Sequence, residues 1–212
     1  MSLSFLESLN LARSYLSFKD LLKLAGSRIL SLEHFYVLRV NLRHIQDVKP
    51  PKIEYTIQKA TEKDFQELSR CLEDFKGKDK KELLYQLLFY KFGFRHCYLA
   101  RNKDNEIMAL HWLVYPHENH LLQAYAGYRL PQLKEKQVMI ENAFVFPKFR
   151  AYGLFPFLTF HLLECAKKQG FKVAITLTRK DQLAVLNTLI VMGFRLLRLT
   201  TELRFLGLRK RL

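Results

Sequence analysis

The sequence predicts a mixed α/β fold in which a mostly antiparallel sheet is flanked by helices. Short stretches with alternating apolar residues precede and follow stretches with helical spacing, and residues 138–157 pass from an apolar run through a basic turn into a helix. The chain has 212 residues, of which 49% are hydrophobic. That length is enough for one good core and short for two, so we expect one main domain with an appendage.

The N-terminal stretch of residues 3–25 is predicted to form one or two amphipathic helices. Its apolar residues recur at near-helical spacing with basic residues between them, and Gly26 follows as a stop signal. Most amphipathic helices bury their apolar face in their own protein. A basic helix of this kind also suits reversible contact with a membrane surface, and the sequence leaves both interpretations open.

A strand and a domain boundary are predicted next. Residues 35–42 largely alternate between apolar and polar side chains, which indicates a strand. Pro50 and Pro51 cannot continue a helix or a central strand, so they mark the start of the main domain. We therefore divide the chain into an N-terminal extension of residues 1–50 and a main domain of residues 51–212.

In the main domain, strands and helices are predicted from the period of the apolar residues. Thr61 suits a helix N-cap, residues 102–105 suit a hairpin turn, and Gly193 suits a helix end. The predicted strands are residues 53–59, 97–101, 107–115, 121–128, 138–146, 171–178 and 194–201, and the predicted helices are residues 61–74, 81–92, 153–169 and 181–192.

The net charge of +15 favours anionic partners, namely coenzyme phosphates, a nucleotide-linked substrate, an anionic membrane surface or nucleic acid. Nucleic acid is the least expected, because no base-stacking or groove-reading motif is present. Cys71, Cys97 and Cys165 are an odd number at no ligand spacing, which argues against a disulfide framework. With no apolar run near the ~18–20 residues that span a bilayer and no signal peptide, we expect a cytoplasmic protein. Contact with the inner membrane face, the open alternative for the N-terminal helices, would be peripheral.

Histidines are the only hint of a metal site in the sequence. His117, Glu118 and His120 are close together, but they fall in a predicted turn and no third cluster of ligands accompanies them. A solvated turn is the favoured interpretation, so no metal is expected. Neither a Ser-His-Asp signature nor a Walker loop is present.

The basic turn, residues 148–153, is suited to binding an anion. A helix start has free backbone N–H groups and the positive end of a dipole, and here Lys148 and Arg150 add two positive side chains. Pro156 fits the first helical turn, because its missing N–H would have no partner there. The same combination also occurs in proteins that bind no phosphate, so the pattern by itself does not decide the function.

The residues around this turn follow the pattern Val145-x-Pro147-x-x-Arg150-x-x-Gly153, which resembles the acyl-CoA-binding motif of the GNAT acyltransferase superfamily. In that family, the amides of the turn hold the pyrophosphate of coenzyme A. The order of the predicted elements over residues 53–208 is also similar to the GNAT fold. The resemblance implies a sheet in which two parallel strands splay apart at the coenzyme site, and acetyl-CoA or another acyl-CoA as cosubstrate.

Other features are similar to a bacterial GNAT group of mostly unassigned function, whose genes often accompany those for cell-surface polysaccharides. They are His111-Trp112 in a strand, the Gly153-Leu154-Phe155 variant and the closing Leu206-Gly207-Leu208. Together with the basic charge, this association favours an amino sugar, free or nucleotide-linked, as the acceptor amine.

The resemblance also implies which residues bind the coenzyme. The pantetheine arm is expected along the backbone of Asn142, Ala143, Phe144 and Val145. The pyrophosphate is expected to meet Arg150 as counter-charge and the amides of Ala151, Tyr152, Gly153, Leu154 and Phe155.

Glu141 is the candidate catalytic residue. Amide formation needs a neutral amine, so a carboxylate often accepts its proton, and GNAT proteins often carry an acidic residue at this place. Since residues i and i+4 of a strand face the same way, Glu141 is expected on the same face as Val145. An ordinary strand carboxylate paired with a basic side chain is an equally good interpretation.

The sequence departs from the GNAT pattern at three positions, the first being Gln182, where the family usually has a helix asparagine. The tyrosine that often acts as general acid falls on Leu189, and Phe155 occupies a place that is usually small. Tyr152 or Tyr125 could protonate the leaving thiolate instead, the thiolate could leave unassisted, or the chain could bind without catalysing. We therefore expect an N-acetyltransferase that moves an acetyl or small acyl group from acyl-CoA to a primary amine, with a non-catalytic GNAT-fold protein that binds a membrane or a partner as the alternative.

Overall fold

The structure is a computed structural model, and it describes residues 30–126, 130–205 and 208–211. Within these residues, eight strands form one sheet in the order β2-β3-β4-β5-β6-β1-β7-β8. The strands are β1 (Leu30–Asn41), β2 (Thr56–Lys59), β3 (Cys97–Arg101), β4 (Ile107–Val114), β5 (Gln137–Val145), β6 (Val173–Arg179), β7 (Arg195–Phe205) and β8 (Leu208–Arg211). Only the β5–β6 pair of this described sheet is parallel, which confirms the predicted mixed, mostly antiparallel class.

Five α-helices connect the strands in the described part of the chain. They are α1 (Glu62–Arg70), α2 (Gly77–Lys91), α3 (Asn119–Ala126), α4 (Leu154–Lys168) and α5 (Leu183–Val191). Thr61 caps α1 as predicted: its backbone N–H donates to Asp64 Oδ2 at 2.5 Å, and its hydroxyl donates to the same oxygen at 2.7 Å. None of these described helices has both the length and the apolar character needed to cross a membrane.

The helices cover both faces of the sheet, as the burial along β5 shows. Met139 belongs to a first core cluster that includes Phe65 of α1 and Phe89 of α2. Val138 and Ile140 belong to a second core cluster, which includes residues of α4 and α5. Because successive strand residues point to opposite faces, α1 and α2 lie on one side of the sheet and α4 and α5 on the other.

Strand β1 comes from the predicted N-terminal extension but lies inside the sheet. It pairs with β6 on one side and β7 on the other, and Val37 and Leu38 are fully buried. This part of residues 1–50 therefore completes the central sheet, while the boundary at Pro50 stays a prediction. The helices predicted at residues 3–25 lie outside the described residues.

The strand predicted at residues 121–128 is wrong, because residues 119–126 form helix α3. The backbone N–H of Tyr115 donates to the carboxylate of Glu118 at 2.9 Å, and this bond closes a short 3-10 helix that leads directly into α3. The N-terminal cap therefore outweighs the apparent alternation of apolar residues. Helix α2 begins at Gly77, four residues before the predicted start at residue 81.

Candidate functional site

A gap opens between the two parallel strands at the carboxyl end of β5. The strands pair only from Gln137 to Met139 of β5, which lie opposite Val173 to Ile175 of β6. Beyond this point β6 stays in register with β1, whereas residues 140–145 of β5 pair only with β4 among the described strands. We call the space between residues 140–145 and the end of β6 the β5–β6 gap. It lies where the resemblance implied splayed strands.

A β-bulge shapes the β5 side of the gap. Glu141 is paired with Trp112 and Phe144 with Leu110, so Asn142 and Ala143 of β5 both stand opposite His111 of β4. Asn142 has a φ of 55°, a left-handed conformation that asparagine tolerates better than most residues. An extra residue of this kind bends the strand and increases its twist, which turns β5 away from β6.

Gln86 of α2 holds the bulge through a buried hydrogen-bond network. Its Nε2 atom donates to the carbonyl oxygen of Asn142 at 2.9 Å and to Asn142 Oδ1 at 3.0 Å. Its Oε1 atom accepts a hydrogen bond from Trp112 Nε1 at 2.7 Å. Gln86 and Trp112 are both fully buried. The amide of one glutamine therefore joins α2 to both strands at the bulge.

The bulge also overturns the expected orientation of Glu141. Directly paired strand residues share a face, and Glu141 is paired with Trp112 whereas Val145 is paired with Ala109. Trp112 and Ala109 are three positions apart in β4 and point to opposite faces. The prediction that Glu141 and Val145 share a face is therefore wrong, because the extra residue shifts the alternation by one. Glu141 lies on the side of α1 and α2, where its Oε2 atom is buried.

The basic turn joins β5 to α4 and presents a row of backbone donors. Ala151 and Gly153 have φ values of 68° and 85°, and the helix begins at Leu154. Within the described residues, the N–H groups of residues 151–155 donate to no acceptor. The carbonyl oxygen of Tyr152 accepts the N–H of Lys52 at 3.1 Å, which holds the turn from outside. Consecutive unused N–H groups at a helix start are suited to binding an anion.

The two basic side chains of the turn already have acidic partners. Arg150 Nη2 lies 2.5 Å from Asp79 Oδ1 of α2, and Arg150 Nε donates to the carbonyl oxygen of Val145 at 3.2 Å. Lys148 Nζ lies 2.6 Å from Glu106 Oε1. Arg150 is thus fixed beside the turn and remains half exposed, so its charge is shared between Asp79 and any anion bound there.

Comparison with solved structures identifies the architecture. A GNAT acetyltransferase from Colwellia psychrerythraea has a TM-score of 0.56 and 13% identity, over 88% of this chain and 61% of that chain. A GCN5-related N-acetyltransferase from Sphaerobacter thermophilus has a TM-score of 0.56 and 14% identity, over 92% and 57% of the two chains. The chain has the GNAT fold.

A third similar structure is described as a GCN5-related glucosamine N-acetyltransferase region in a fungal multi-domain GH3 β-N-acetylglucosaminidase. It has a TM-score of 0.61 and 14% identity, over 87% of this chain and 22% of that chain. The present chain thus spans between 22% and 61% of the lengths of these three GNAT structures. No family model and no curated protein matches its sequence.

Several residues singled out from the sequence are buried around the turn, in different parts of the core. Phe144 and Leu154 are buried in the first core cluster, so only their backbone is available to a ligand. Phe155 packs inward against the second core cluster, and its ring centroid lies 5.9 Å from that of His111. This bulky residue at a usually small position therefore fills space beneath the helix. His111 is fully buried, which lowers its pKa to about 3, so its imidazole is neutral.

Leu189, which replaces the usual general-acid tyrosine, and the two alternative tyrosines lie in different parts of the fold. Leu189 is 1% exposed within the second core cluster and belongs to the hydrophobic core. Tyr152 is 41% exposed in the basic turn. Tyr125 lies on α3, where its ring packs edge-on against Phe89 and Phe92 at 5.0 and 5.1 Å. Of the two tyrosines, only Tyr152 lies in the turn.

Sequence reasoning missed Gln86, the residue that fixes the bulge. One signal was available, because Gln86 is a polar residue between Leu84 and Leu87 on the buried side of a predicted helix. A polar side chain at such a position must find hydrogen-bond partners within the protein. The identity of those partners depends on tertiary packing.

Proposed function

We propose that this chain is an acyl-CoA-dependent N-acyltransferase, which moves an acetyl or small acyl group to a primary amine. The observation that supports this most is the meeting of the β5–β6 gap with the basic turn. The gap has the open strand edge that an extended pantetheine arm can follow, and the turn offers the unused N–H groups of residues 151–155 to a pyrophosphate. One ligand that carries both groups in sequence is coenzyme A.

In this proposal the pantetheine arm runs along residues 142–145. The carbonyl oxygens of Asn142 and Val145 already accept hydrogen bonds from Gln86 and Arg150. The arm therefore uses the other backbone groups of this edge, much as a short strand would. The bulge at Asn142 and Ala143 leaves a residue outside the ladder, and a backbone N–H there is suited to the oxyanion that forms on the thioester carbonyl.

Glu141 is the proposed proton acceptor. The amine nitrogen attacks the thioester carbon, the new C–N bond forms, the C–S bond breaks, and the proton lost by the amine passes to the carboxylate directly or through water. Because Glu141 lies on the side of α1 and α2, the acceptor approaches the gap from that side of the sheet. Tyr152 carries a hydroxyl group within the basic turn and is the proposed source of a proton for the thiolate.

An amino sugar is the proposed acceptor. The chain carries a net charge of +15, which attracts an anionic acceptor such as a nucleotide-linked sugar. One of the structurally similar proteins is described as a glucosamine N-acetyltransferase region, and this name lends support to the same class of amine.

Thiol release from acetyl-CoA tests the reaction. The full chain is assayed with glucosamine, nucleotide-linked amino sugars, a polyamine and a lysine peptide. We expect amine-dependent release that is greatest with an amino sugar, and a fall in kcat of about 10²-fold or more in Glu141→Gln. Coenzyme binding without release for any amine would favour the non-catalytic alternative, which is motivated by the burial of Leu189 in the core.

A further inference from the structure

We propose that His96, His117 and Glu118 form a binding site for a divalent transition metal ion, with zinc as the ion tested. One ligand atom of each residue lies within 4.8 Å of the ligand atoms of the other two. Two imidazoles and one carboxylate are a donor set that zinc commonly uses, with water in the fourth position. His96 supplies the third ligand that the sequence around His117 lacked.

The antiparallel pairing of β3 and β4 brings these residues together. His96 directly precedes β3, and its carbonyl oxygen accepts the N–H of Leu113 at 2.9 Å, so the ladder extends to His96. His117 and Glu118 directly follow β4 in a 3-10 helix. The backbone on both sides of the cluster is therefore fixed by secondary structure.

Tyr115 contacts both imidazole rings. The ring of His96 packs edge-on against Tyr115 with centroids 4.6 Å apart, and the ring of His117 is nearly parallel to Tyr115 at 5.7 Å. Tyr115 itself is buried and contacts Phe171. The half-buried His96, packed against Tyr115, therefore loses little side-chain freedom when it binds an ion.

Glu118 gives the site a buried negative charge. Its side chain is 4% exposed, and its Oε2 atom accepts the N–H of Tyr115 at 2.9 Å. A carboxylate has further lone pairs for a metal, and a buried charge is costly unless a cation or hydrogen bonds compensate it. The positive charge of Lys59 opposes metal binding, because it disfavours a second cation beside the ring of His96.

Only a small movement is needed to close the site. Zinc–nitrogen and zinc–oxygen bonds of ~2.0–2.1 Å in a tetrahedron place ligand atoms roughly 3.3 Å apart, somewhat closer than the present limit of 4.8 Å. His117 is exposed and can rotate toward the other two ligands. The ion would thus tie the segment before β3 to the turn after β4.

The proposed metal site is remote from the candidate coenzyme site. Glu106, at the turn between β3 and β4, is joined to Lys148 of the basic turn, whereas the cluster lies at the opposite end of β4. A strand of this length spans roughly 25 Å. The ion is therefore expected to stabilise the fold and to take no part in acyl transfer, so its test is independent of the proposed function.

Calorimetric titration of the metal-free full chain with zinc chloride tests the site. We expect saturable binding of one ion per chain, and a loss of affinity of at least ~10–100-fold in His96→Ala and in His117→Ala. His120→Ala is the matched control, because it removes a nearby imidazole, at the start of α3, without removing a proposed ligand. At zinc concentrations about 100 times Kd, Tm should rise by roughly 5–10 °C in wild type and in this control only.

Two results would overturn the proposal. One is the absence of saturable zinc binding to wild type. The other is equal affinity in His96→Ala and wild type together with a loss in His120→Ala, which would assign the ion to the His117–His120 pair alone. Circular dichroism of each metal-free variant checks that it folds. If His96→Ala does not fold, His117→Ala still tests the site, because His117 is exposed and its replacement should not disturb the core.

Discussion

Replacing Gln86 by methionine tests whether one buried amide holds the bulge beside the β5–β6 gap. Methionine is close to glutamine in size and shape, so the change leaves no large cavity. It removes the two hydrogen bonds to Asn142 and the one from Trp112, whose lengths are between 2.7 and 3.0 Å. The buried Nε1–H of Trp112 then has no acceptor at this position.

The loss in stability follows from these three bonds. An unsatisfied buried donor costs about 1–3 kcal/mol, and each neutral hydrogen bond contributes about 1 kcal/mol net. Because the bonds share one side chain and are not additive, we expect Gln86→Met to lower the free energy of unfolding by about 2–4 kcal/mol. A typical domain has only about 5–15 kcal/mol in total, so the shift in a urea curve is large.

Urea unfolding followed by tryptophan fluorescence and by circular dichroism measures this loss. Trp112 is the only tryptophan of the chain and is fully buried in the network, so its emission reports on the same region. Lys78→Met is the control on the same helix, since the lysine side chain is 74% exposed, and it should change stability by less than about 0.5 kcal/mol. A loss below about 1 kcal/mol in Gln86→Met, with an unchanged m-value, would refute the reasoning.

Two further predictions concern the rest of the fold. Gly193→Ala should lower the free energy of unfolding in urea by at least about 2 kcal/mol, because Gly193 has a φ of 96° and an added Cβ would lie 2.8 Å from the carbonyl oxygen of His44. A change near zero would contradict this geometry. Burial raises the pKa of Asp64, but hydrogen bonds from Thr61 and Arg101 outweigh it and hold the pKa below its usual value. The ionised Asp64 therefore contributes stability at pH values above that usual value of about 4, and this contribution is lost as pH falls through the depressed pKa. We expect the free energy of unfolding of wild type to exceed that of Asp64→Asn by about 3 kcal/mol at pH 7, and this difference to shrink below pH 4. A difference that grows in acid would contradict the assignment.

Local sequence patterns were sufficient for most elements of the sheet and helices. The basic turn and the helix after it were predicted from the proline, the glycine and the positive side chains, and α4 runs from Leu154 to Lys168 as this pattern indicates. These features depend on neighbouring residues, which the sequence shows directly. The helix α3 was missed because its start depends on the bond between Tyr115 and Glu118.

Features that depend on strand pairing could not be predicted. The orientation of Glu141 was inferred from strict alternation, and the bulge at Asn142 and Ala143 shifts that alternation by one residue. A bulge is defined by the partner strand and leaves no clear mark in a single strand. The approach of His96 to His117 has the same origin, since it depends on the register between β3 and β4.

Calorimetric binding of acetyl-CoA to Ala151→Asp and Ala151→Asn tests the central proposal, that the basic turn holds the coenzyme pyrophosphate. Ala151 has a φ of 68°, a conformation that both replacements tolerate, so the two variants differ chiefly by one negative charge. A charge about 5 Å from a phosphate costs about 1–3 kcal/mol at effective dielectric constants between 80 and 20, or roughly 5–150-fold in affinity.

Gly153→Glu, which adds both charge and strain at a φ of 85°, should abolish binding. We predict that wild type and Ala151→Asn bind acetyl-CoA with similar affinity and that Ala151→Asp binds it at least roughly fivefold more weakly. The proposal would be contradicted if wild type did not bind acetyl-CoA, or if the aspartate and asparagine variants bound it equally well.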